Sequence, residues 1–205
     1  MSAPPPFTDD SAGSAEVHAL VLAAGASSRF GSPKQLVRFR GRPLLHTAVA
    51  RAVEVAGHSV TVVLGAHAAV LAPLLRHSPA SVVINREWSE GMASSIRAGL
   101  AQVPASCQGV LLMLADQAAI TAEDLKRLIG AWRREPQSIA AAQYEARLGV
   151  PAIFPRSQFV HLAQLRGDQG ARALLRREST PIVRVPLANA AIDIDTPEDL
   201  LRLSP

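Results

Sequence analysis

Four short runs of apolar residues mark the amino-terminal part of the chain. The first, V-H-A-L-V-L-A-A, begins at Val17 and ends before Gly25, and similar runs occupy residues 59–64, 81–84 and 110–114. Short, continuous apolar runs rich in branched side chains are typical of strands that are buried on both faces of a sheet. The pattern therefore predicts four buried β-strands.

Segments with helical patterns separate these runs. Residues 43–56, 66–75, 93–102 and 121–134 are predicted helices, and Thr121-Ala-Glu-Asp124 has the form of a capping box. Strands that alternate with helices form βαβ units, in which the strands run parallel. We expect an α/β fold: a single-domain, Rossmann-like, three-layer α/β/α arrangement around a mostly parallel sheet.

The carboxyl-terminal part continues this pattern with shorter elements. After Gly149-Val-Pro-Ala-Ile-Phe154, residues 158–165 and 171–177 have helical patterns, residues 182–185 and 191–194 are predicted strands, and Pro197 opens a last helix. These elements extend the predicted domain to the end of the chain.

The length and composition fit one globular unit. The chain has 205 residues, of which 48% are apolar and 19% charged, and this is too short for two ordinary domains. Residues 1–16 are rich in Pro, Ser, Gly and Asp, so we expect a disordered amino-terminal tail. Residues 17–205 are predicted to form the folded domain.

The charge pattern argues against nucleic acid or a membrane as a partner. The formal net charge is only +4, the arginines are scattered, and no apolar run is long enough to span a bilayer. The amino terminus also lacks the basic start and apolar run of a signal peptide. Because Cys107 is the only cysteine, no disulfide can form within the chain, and we expect a cytoplasmic protein. The small positive net charge favours an anionic small-molecule ligand.

A loop of small residues follows the first predicted strand. The sequence L-A-A-G-A-S-S-R-F-G-S-P-K runs from Leu22 to Lys34. Small side chains let backbone amides approach phosphate oxygens, while Arg29 and Lys34 supply positive charge. The loop matches neither a Walker A loop nor a G-x-G-x-x-G fingerprint. An ordinary βα turn with two solvated basic side chains is the alternative interpretation.

Polar and small residues recur where the predicted strands end. Gly25, Gly65, Asn85 and Asp116 each follow one of the four apolar runs. In doubly wound folds, ligands bind outside the carboxyl ends of the strands. The four positions therefore predict a binding site at this edge of the sheet.

The segment that follows Asn85 adds further candidates. Gly91 permits close approach of a ligand, and Ser94 and Ser95 offer hydroxyl groups near a predicted helix start. An N-capped helix without a ligand would use the same residue types, so both interpretations stay open.

Three aspartates are candidate metal ligands. Asp116 directly follows an apolar strand, where an unpaired carboxylate is costly, and a metal ion is the economical explanation. Asp193 and Asp195 alternate on a predicted strand and would share one face. Together the three carboxylates predict a site for a hard cation, with helix capping as the alternative role of Asp195.

The loop from Leu22 to Lys34 resembles the L-A-A-G-x-S-x-R-F-G-x-x-K signature of the molybdenum cofactor guanylyl- and cytidylyltransferases. Asn85 opens an N-x-x-W/Y-x-x-G-M/L-x-x-S segment, and Asp193 opens the D-I-D-T-P-x-D element of the cytidylyltransferase branch. Asp116 stands in the family's D-x-P element, which here has Ala118 in place of Pro. The resemblance extends from Val17 to Leu203 and implies a fold of the nucleotide-diphospho-sugar transferase type.

The family's site residues can be carried over to matching positions of this chain. The resemblance implies that Arg29, Lys34 and Asp116 are catalytic, and that Mg²⁺, or Mn²⁺ in its place, binds Asp116 with Asp193 or Asp195. The implied nucleotide-binding residues are Leu22, Ala23, Ala24, Gly25, Arg29, Lys34, Gly65, Asn85, Gly91, Ser94 and Ser95.

Two further segments resemble the acceptor half of the family site. Gly149-Val-Pro151 matches a G-x-P element, and Gly167-Asp-Gln-Gly-Ala-Arg172 matches a G-D-x-G-A-R element. Gly149, Pro151, Asp168 and Arg172 are the implied acceptor-binding residues. A loop followed by a helix cap is the competing interpretation.

The implied reaction transfers CMP from CTP to the terminal phosphate of molybdopterin or the molybdenum cofactor, with release of pyrophosphate. A molybdoenzyme or its maturation chaperone is the implied recipient of the product. Two alternatives remain open: a nucleotidyltransferase that uses another phosphorylated acceptor, and a non-catalytic carrier of the cofactor.

Overall fold

A mixed sheet forms the centre of the structure, a computed structural model that describes residues 16–27, 30–176, 180–194 and 199. Within this part of the chain, seven strands pair in the order β5-β4-β1-β6-β8-β7-β9. The strands are β1 (Val17–Ala23), β4 (Val60–Leu64), β5 (Ser81–Ile84), β6 (Gly109–Leu114), β7 (Ile139–Tyr144), β8 (Arg147–Pro155) and β9 (Ile182–Pro186). A separate two-stranded sheet consists of β2 (Arg38–Phe39) and β3 (Arg42–Pro43).

The large sheet is mostly parallel. Strand β1 lies between β4 and β6 and runs parallel to both. Strand β8 is antiparallel to β6 and β7, whereas β9 is parallel to β7. The carboxyl ends of β1, β4 and β6 therefore meet at one edge of the sheet, which confirms the predicted mostly parallel α/β arrangement.

Helices cover both faces of this sheet. They are α1 (Leu44–Ala56), α2 (Ala68–Leu71), α3 (Met92–Leu100), α4 (Ala122–Arg134), α5 (Phe159–Ala163) and α6 (Arg172–Leu175). Helices α1, α2 and α4 pack on one apolar core, and α3, α5 and α6 pack on the core of the opposite face. This gives the predicted three layers.

Four of the predicted helices are present with small changes. The capping box is confirmed, since the Asp124 backbone N–H donates to Thr121 Oγ1 at 3.1 Å and the Thr121 N–H donates to Asp124 Oδ2 at 3.0 Å. The predicted helix over residues 66–75 is interrupted. It continues after α2 as a 3₁₀ helix, Ala72–Leu75, where Pro73 cannot donate a helical hydrogen bond.

Two strand predictions were wrong in detail. The run over residues 81–84 was expected to be buried on both faces, but β5 is the edge strand, and Val82 and Ile84 are exposed. The strand predicted over residues 191–194 is absent: Ala188–Ala191 is a 3₁₀ helix, and residues 192–194 have no regular structure. The predicted alternation of Asp193 and Asp195 along a strand fails with it.

Several predictions fall on residues that the structure leaves undescribed. These are most of the expected tail, the end of the helix over residues 171–177, and most of the helix expected from Pro197. Glu16, the last residue of the expected tail, accepts backbone hydrogen bonds from Gln108 and Gly109 at 3.1 and 3.0 Å. No helix in the described ranges is both long and apolar enough to cross a bilayer.

Candidate active site

A cleft of about 490 Å³ opens where β1 and β6 end. The small residues after β1 form one wall, and the loop between β5 and α3 forms the opposite wall. Of the predicted site residues, it is lined by Leu22, Ala23, Ala24, Gly25, Lys34, Gly91, Ser95, Asp116 and Asp168. The structure thus brings together residues that are far apart in the sequence.

The loop after β1 is folded back by its own side chains. Ser27 and Gly31 have positive φ angles of 54° and 70°. The Ser27 hydroxyl accepts a hydrogen bond from the Lys34 backbone N–H at 3.1 Å, which ties the two ends of the loop together. Arg29 lies outside the described residues, so its predicted role at the phosphates stays a prediction.

Gln35 was missed by the sequence analysis. Its side chain is buried, and its Nε2 donates to the carbonyl oxygens of Ala23 and Gly25 at 3.1 and 3.2 Å. These bonds tie Gln35 to the end of β1 and to the start of the loop. A polar residue beside a loop is usually expected to face solvent, which is why Gln35 was missed. The only clue in the sequence is its position directly after Lys34.

Lys34 and Asp116 form an ion pair on the cleft wall. Lys34 Nζ donates to Asp116 Oδ2, and the two side chains are only 18% and 16% exposed. Lys34 begins the 3₁₀ helix Lys34–Leu36, whereas Asp116 follows β6. An ion pair between two distant segments places both charges at the edge of the sheet where doubly wound folds bind ligands.

The turn at Asp116 has no need of the family proline. The Ala118 backbone N–H donates to the Asp116 carbonyl at 2.8 Å, a bond that proline could not make. Ala118 is buried, and its own carbonyl accepts from Arg51 at 2.9 Å. The replacement is therefore accommodated by a local hydrogen bond.

The carboxyl-terminal acidic segment lies beside Asp116. The Ile194 backbone N–H donates to the Asp116 carbonyl at 3.2 Å, and the neighbouring Asp193 is exposed. Asp195 lies outside the described residues. Within the described ranges, no group of three or more His, Cys, Asp or Glu side chains could hold a metal ion, so the predicted three-carboxylate site stays a prediction.

One oxygen of Asp116 is suited to a cation. Asp116 Oδ1 is buried and accepts no hydrogen bond among the described residues. A buried carboxylate oxygen without a donor is costly unless a ligand completes its shell. Carboxylate oxygens are the protein ligands that Mg²⁺ uses, and the Asp116 carboxylate therefore fits the predicted cation.

Asn85 and the two serines form a buried network. Asn85 Nδ2 donates to Ser94 Oγ at 2.8 Å and to Ser95 Oγ at 3.0 Å, while Asn85 Oδ1 accepts from the Glu87 N–H at 2.9 Å. Ser94 Oγ also donates to the carbonyls of Glu87 and Gly91. Of these predicted nucleotide ligands, only Ser95 reaches the cleft wall, and Asn85 and Ser94 hold the start of α3 in place.

Two glycines allow close approach of neighbouring segments. Gly91 has φ of 107°, and a Cβ there would collide with Gly167 and Asp168. A Cβ at Gly65 would lie 2.8 Å from the Ala24 Cβ and 2.7 Å from the Trp88 Cβ. Gly65 therefore lies behind the cleft wall, whereas Trp88, which was not predicted as a site residue, lines the cleft.

A second cavity of about 290 Å³ adjoins the cleft and shares Leu22, Met92, Leu114 and Asp168 with it. Arg172 lines this cavity and donates to Tyr144 Oη at 3.1 Å. Val150, between two predicted acceptor residues, lines it as well. The other two members of the predicted acceptor set, Gly149 and Pro151, do not line it.

Gly149 and Pro151 shape the strand that borders the second cavity. A Cβ at Gly149 would collide with the Tyr144 hydroxyl, and the Val150–Pro151 peptide bond is cis. Gln117, also missed by the sequence analysis, is buried and donates to the Val150 carbonyl at 2.8 Å and to the Ala190 carbonyl at 3.4 Å. It links the Asp116 turn to both neighbouring segments.

The sheet order and the cleft at its strand ends define a Rossmann-like protein of the nucleotide-diphospho-sugar transferase type. The MobA-like NTP transferase domain matches residues 19–182, and the chain belongs to this family. It is therefore a nucleotidyltransferase of the MobA-like group, as the signature loop predicted.

Similar proteins match over nearly their full length. Nicotine blue oxidoreductase of Paenarthrobacter nicotinovorans is 32% identical over 198 residues, which cover 91% of this chain and 96% of that protein. Purine catabolism protein PucB of Bacillus subtilis (strain 168) is 26% identical, with 87% and 91% covered. Among solved structures, Rv0371c from Mycobacterium tuberculosis H37Rv has a TM-score of 0.81 and 29% identity, with 92% and 97% covered. A crystal structure of Rv0371c in complex with manganese has a TM-score of 0.77 and 28% identity over the same shares of each chain.

Proposed function

We propose that the protein transfers CMP from CTP to the terminal phosphate of molybdopterin or the molybdenum cofactor. One observation carries this proposal: Lys34 and Asp116 pair beside the small-residue loop, in a cleft that can hold a nucleotide. A cation that binds phosphate and a carboxylate that binds a divalent metal are the two charges that phosphoryl transfer requires. In the cell, we propose that the reaction takes place in the cytoplasm.

The CTP molecule lies along the loop that follows β1 in this proposal. Its triphosphate contacts the backbone amides of residues 24–27 with Lys34 and Arg29, which neutralise the pyrophosphate as it leaves. The base lies against the wall that Ala24 and Trp88 form, and Ser95 borders the same space. Asn85 and Ser94 act indirectly, because they fix the start of α3.

The reaction needs no nucleophile from the protein. A phosphate oxygen of the acceptor attacks the α-phosphorus of CTP, the bond between that phosphorus and its bridging oxygen to the β-phosphate breaks, and pyrophosphate leaves. The protein contributes position and charge stabilisation. Asp116 with Asp193 or Asp195 would hold Mg²⁺ or Mn²⁺, which supplies a Lewis acid for the phosphate oxygens. Manganese in the Rv0371c complex supports a divalent cation in this family.

The acceptor occupies the second cavity in this proposal. Its lining residues are mainly apolar, Asp168 and Arg172 carry its charges, and it shares part of its lining with the cleft. An acceptor held there has a short path to the α-phosphate. A molybdoenzyme or its maturation chaperone would then receive the product.

Pyrophosphate release tests this function directly. The four NTPs are each incubated with the purified protein, Mg²⁺, and either molybdenum-free or molybdenum-loaded molybdopterin. We expect release from CTP that depends on the acceptor. Release with a different phosphorylated acceptor would identify the alternative transferase, and tight cofactor binding without any release would identify the carrier.

A second candidate activity follows from the name of one relative. Nicotine blue oxidoreductase is 32% identical to this chain, so an oxidoreductase activity is a second candidate, and NADH and NADPH are the electron donors to test. The sequence has no G-x-G-x-x-G fingerprint in the loop after β1, which favours nucleotidyl transfer. Oxidation of NADH or NADPH by the protein with an aromatic electron acceptor, without pyrophosphate release from any NTP, would favour the reductase.

A further inference from the structure

Lys34 is held in place at both its backbone and its side chain. Its backbone N–H donates to Ser27 Oγ at 3.1 Å, and the next residue, Gln35, is anchored to the carbonyls of Ala23 and Gly25. The side chain donates to Asp116 Oδ2 on the cleft wall. The fixed backbone therefore directs the ammonium group to the Asp116 carboxylate.

The two oxygens of Asp116 have different surroundings. Oδ2 accepts from Lys34 Nζ, whereas Oδ1 is buried and has no donor among the described residues. A divalent cation bound to this carboxylate would come close to the ammonium group. Two positive charges a few ångströms apart, with both side chains mostly enclosed, repel each other strongly because solvent screens them little.

We propose that Lys34 competes with the divalent cation for Asp116 and keeps the metal site closed until a nucleotide binds. This rests on the proposed function, in which Asp116 is a metal ligand. The triphosphate offers Lys34 further anionic oxygens, and its flexible four-carbon side chain can turn from the carboxylate to the phosphates. The same movement frees the carboxylate for the cation, so nucleotide and metal binding are coupled through one side chain.

The affinity of the protein for Mn²⁺, measured without nucleotide, distinguishes competition for Asp116 from a role of Lys34 in phosphate binding alone. Mn²⁺ is titrated into nucleotide-free wild type, Lys34→Gln and Lys34→Met, and the free ion is followed by electron paramagnetic resonance. We expect both variants to bind Mn²⁺ at least about tenfold more tightly than wild type, on the scale of one close charge interaction. Their turnover of CTP should fall, so affinity and turnover should change in opposite directions.

A matched variant controls for the loss of one positive charge. Arg172 lines the adjoining cavity and contacts Tyr144 Oη, so Arg172→Gln removes a charge near the cleft without touching Asp116. We expect Arg172→Gln to change Mn²⁺ affinity by less than about threefold. An equal increase in Mn²⁺ affinity in Arg172→Gln and Lys34→Gln would show that the overall positive charge of the site causes the effect, and would overturn the proposal. Unchanged or weaker Mn²⁺ binding in both Lys34 variants would overturn it as well.

The double variant Lys34→Gln/Asp116→Asn tests where the metal binds. If the double variant loses the higher Mn²⁺ affinity of Lys34→Gln, the result supports competition at Asp116. If it keeps that affinity, the cation binds elsewhere and the proposal is overturned. Pyrophosphate release is measured on the same wild-type sample. If pyrophosphate is released from CTP but the Lys34 variants bind Mn²⁺ no more tightly than wild type, only the competition is rejected. If the variants bind Mn²⁺ more tightly but no NTP yields pyrophosphate, only the proposed reaction is rejected.

Discussion

At the scale of single residues, the charge on Asp116 should matter for the reaction more than for the fold. We expect Asp116→Ala to abolish pyrophosphate release and to leave the cooperative unfolding transition in place, because the carboxylate is partly exposed and is not a packing group. Turnover and urea unfolding are measured on the same preparation. Glu54→Ala is the control, since Glu54 pairs with Lys126 on the surface and should keep wild-type turnover. Near wild-type release by Asp116→Ala would show the metal assignment to be wrong.

Lys34 should likewise be needed for turnover. We expect Lys34→Ala to lower turnover at least about tenfold, which corresponds to roughly 1.4 kcal/mol of lost transition-state stabilisation. The matched control is Lys126→Ala, because Lys126 is exposed and pairs with Glu54 away from the cleft. Steady-state pyrophosphate release measures both variants. An unchanged rate in Lys34→Ala would show that Lys34 is not needed for the reaction.

The methyl group of Ala24 should contribute to base selection. In the guanylyl relatives that the signature loop resembles, this position is typically Gly, and here Ala24 lines the cleft next to Trp88. A methyl group that narrows the space for a purine is worth roughly 1–3 kcal/mol, or about 10- to 200-fold in discrimination. We expect CTP to exceed GTP in kcat/KM, and Ala24→Gly to reduce this ratio. Equal use of both nucleotides by the wild-type protein would contradict the cytidylyl assignment and leave the nucleotidyltransferase family unaffected.

At the scale of elements, the network around Asn85 should stabilise the start of α3. Asn85→Ala removes donors to Ser94 and Ser95 and leaves buried polar groups without partners. We expect it to lower the free energy of unfolding by about 1–3 kcal/mol. Gln102→Ala, at an exposed position after α3, should change it by less than about 0.5 kcal/mol. Urea unfolding measures both, and equal stability of Asn85→Ala and wild type would show the network to be dispensable.

The elements that build the cleft differ in how well the sequence revealed them. The strands β1, β4 and β6 and the helix α4 were predicted closely, because their apolar runs and capping box are local signals. The edge position of β5 was missed, since a four-residue apolar run has the same pattern in the middle of a sheet and at its edge. The antiparallel strand β8 was also unassigned, because pairing direction depends on partners distant in sequence.

At the scale of the whole molecule, stability should depend on pH through His18. His18 lies in β1, its Nε2 is 2.9 Å from Thr61 Oγ1, and burial lowers the pKa of the imidazole below its usual value of 6.5. The unfolded chain therefore takes up a proton near pH 6.5 that the folded protein resists. Neutral His18 therefore contributes to the free energy of unfolding above pH 6.5. This contribution is lost as the pH falls below 6.5, by up to about 1.4 kcal/mol per pH unit.

The variant His18→Gln should remove this part of the pH dependence. The amide of Gln can still form a hydrogen bond with Thr61 but does not titrate between pH 7.5 and 5.5. Urea unfolding at these two pH values should give a smaller loss of stability in His18→Gln than in wild type. His58→Gln, at an exposed position, is the control and should retain the wild-type loss. An identical pH dependence in wild type and His18→Gln would exclude His18 as the source.

The sequence by itself determined the fold class, the family and the edge of the sheet where the site lies. Apolar periodicity gives the alternation of strands and helices, and strand ends of a parallel sheet meet on one side, so Gly25 and Asp116 could be placed there from the sequence alone. The signature loop predicted the family, and the family match over residues 19–182 confirmed it.

Only the tertiary structure decided which of these residues face the cleft and which support it. Asn85 and Gly65 have the residue types of ligand contacts, but their hydrogen bonds and close packing direct them to neighbouring segments. Gln35 and Gln117 anchor the site through buried bonds to distant carbonyl groups. The physical reason is that hydrogen-bond partners and close contacts across segments depend on three-dimensional proximity, which residue type and local periodicity do not encode.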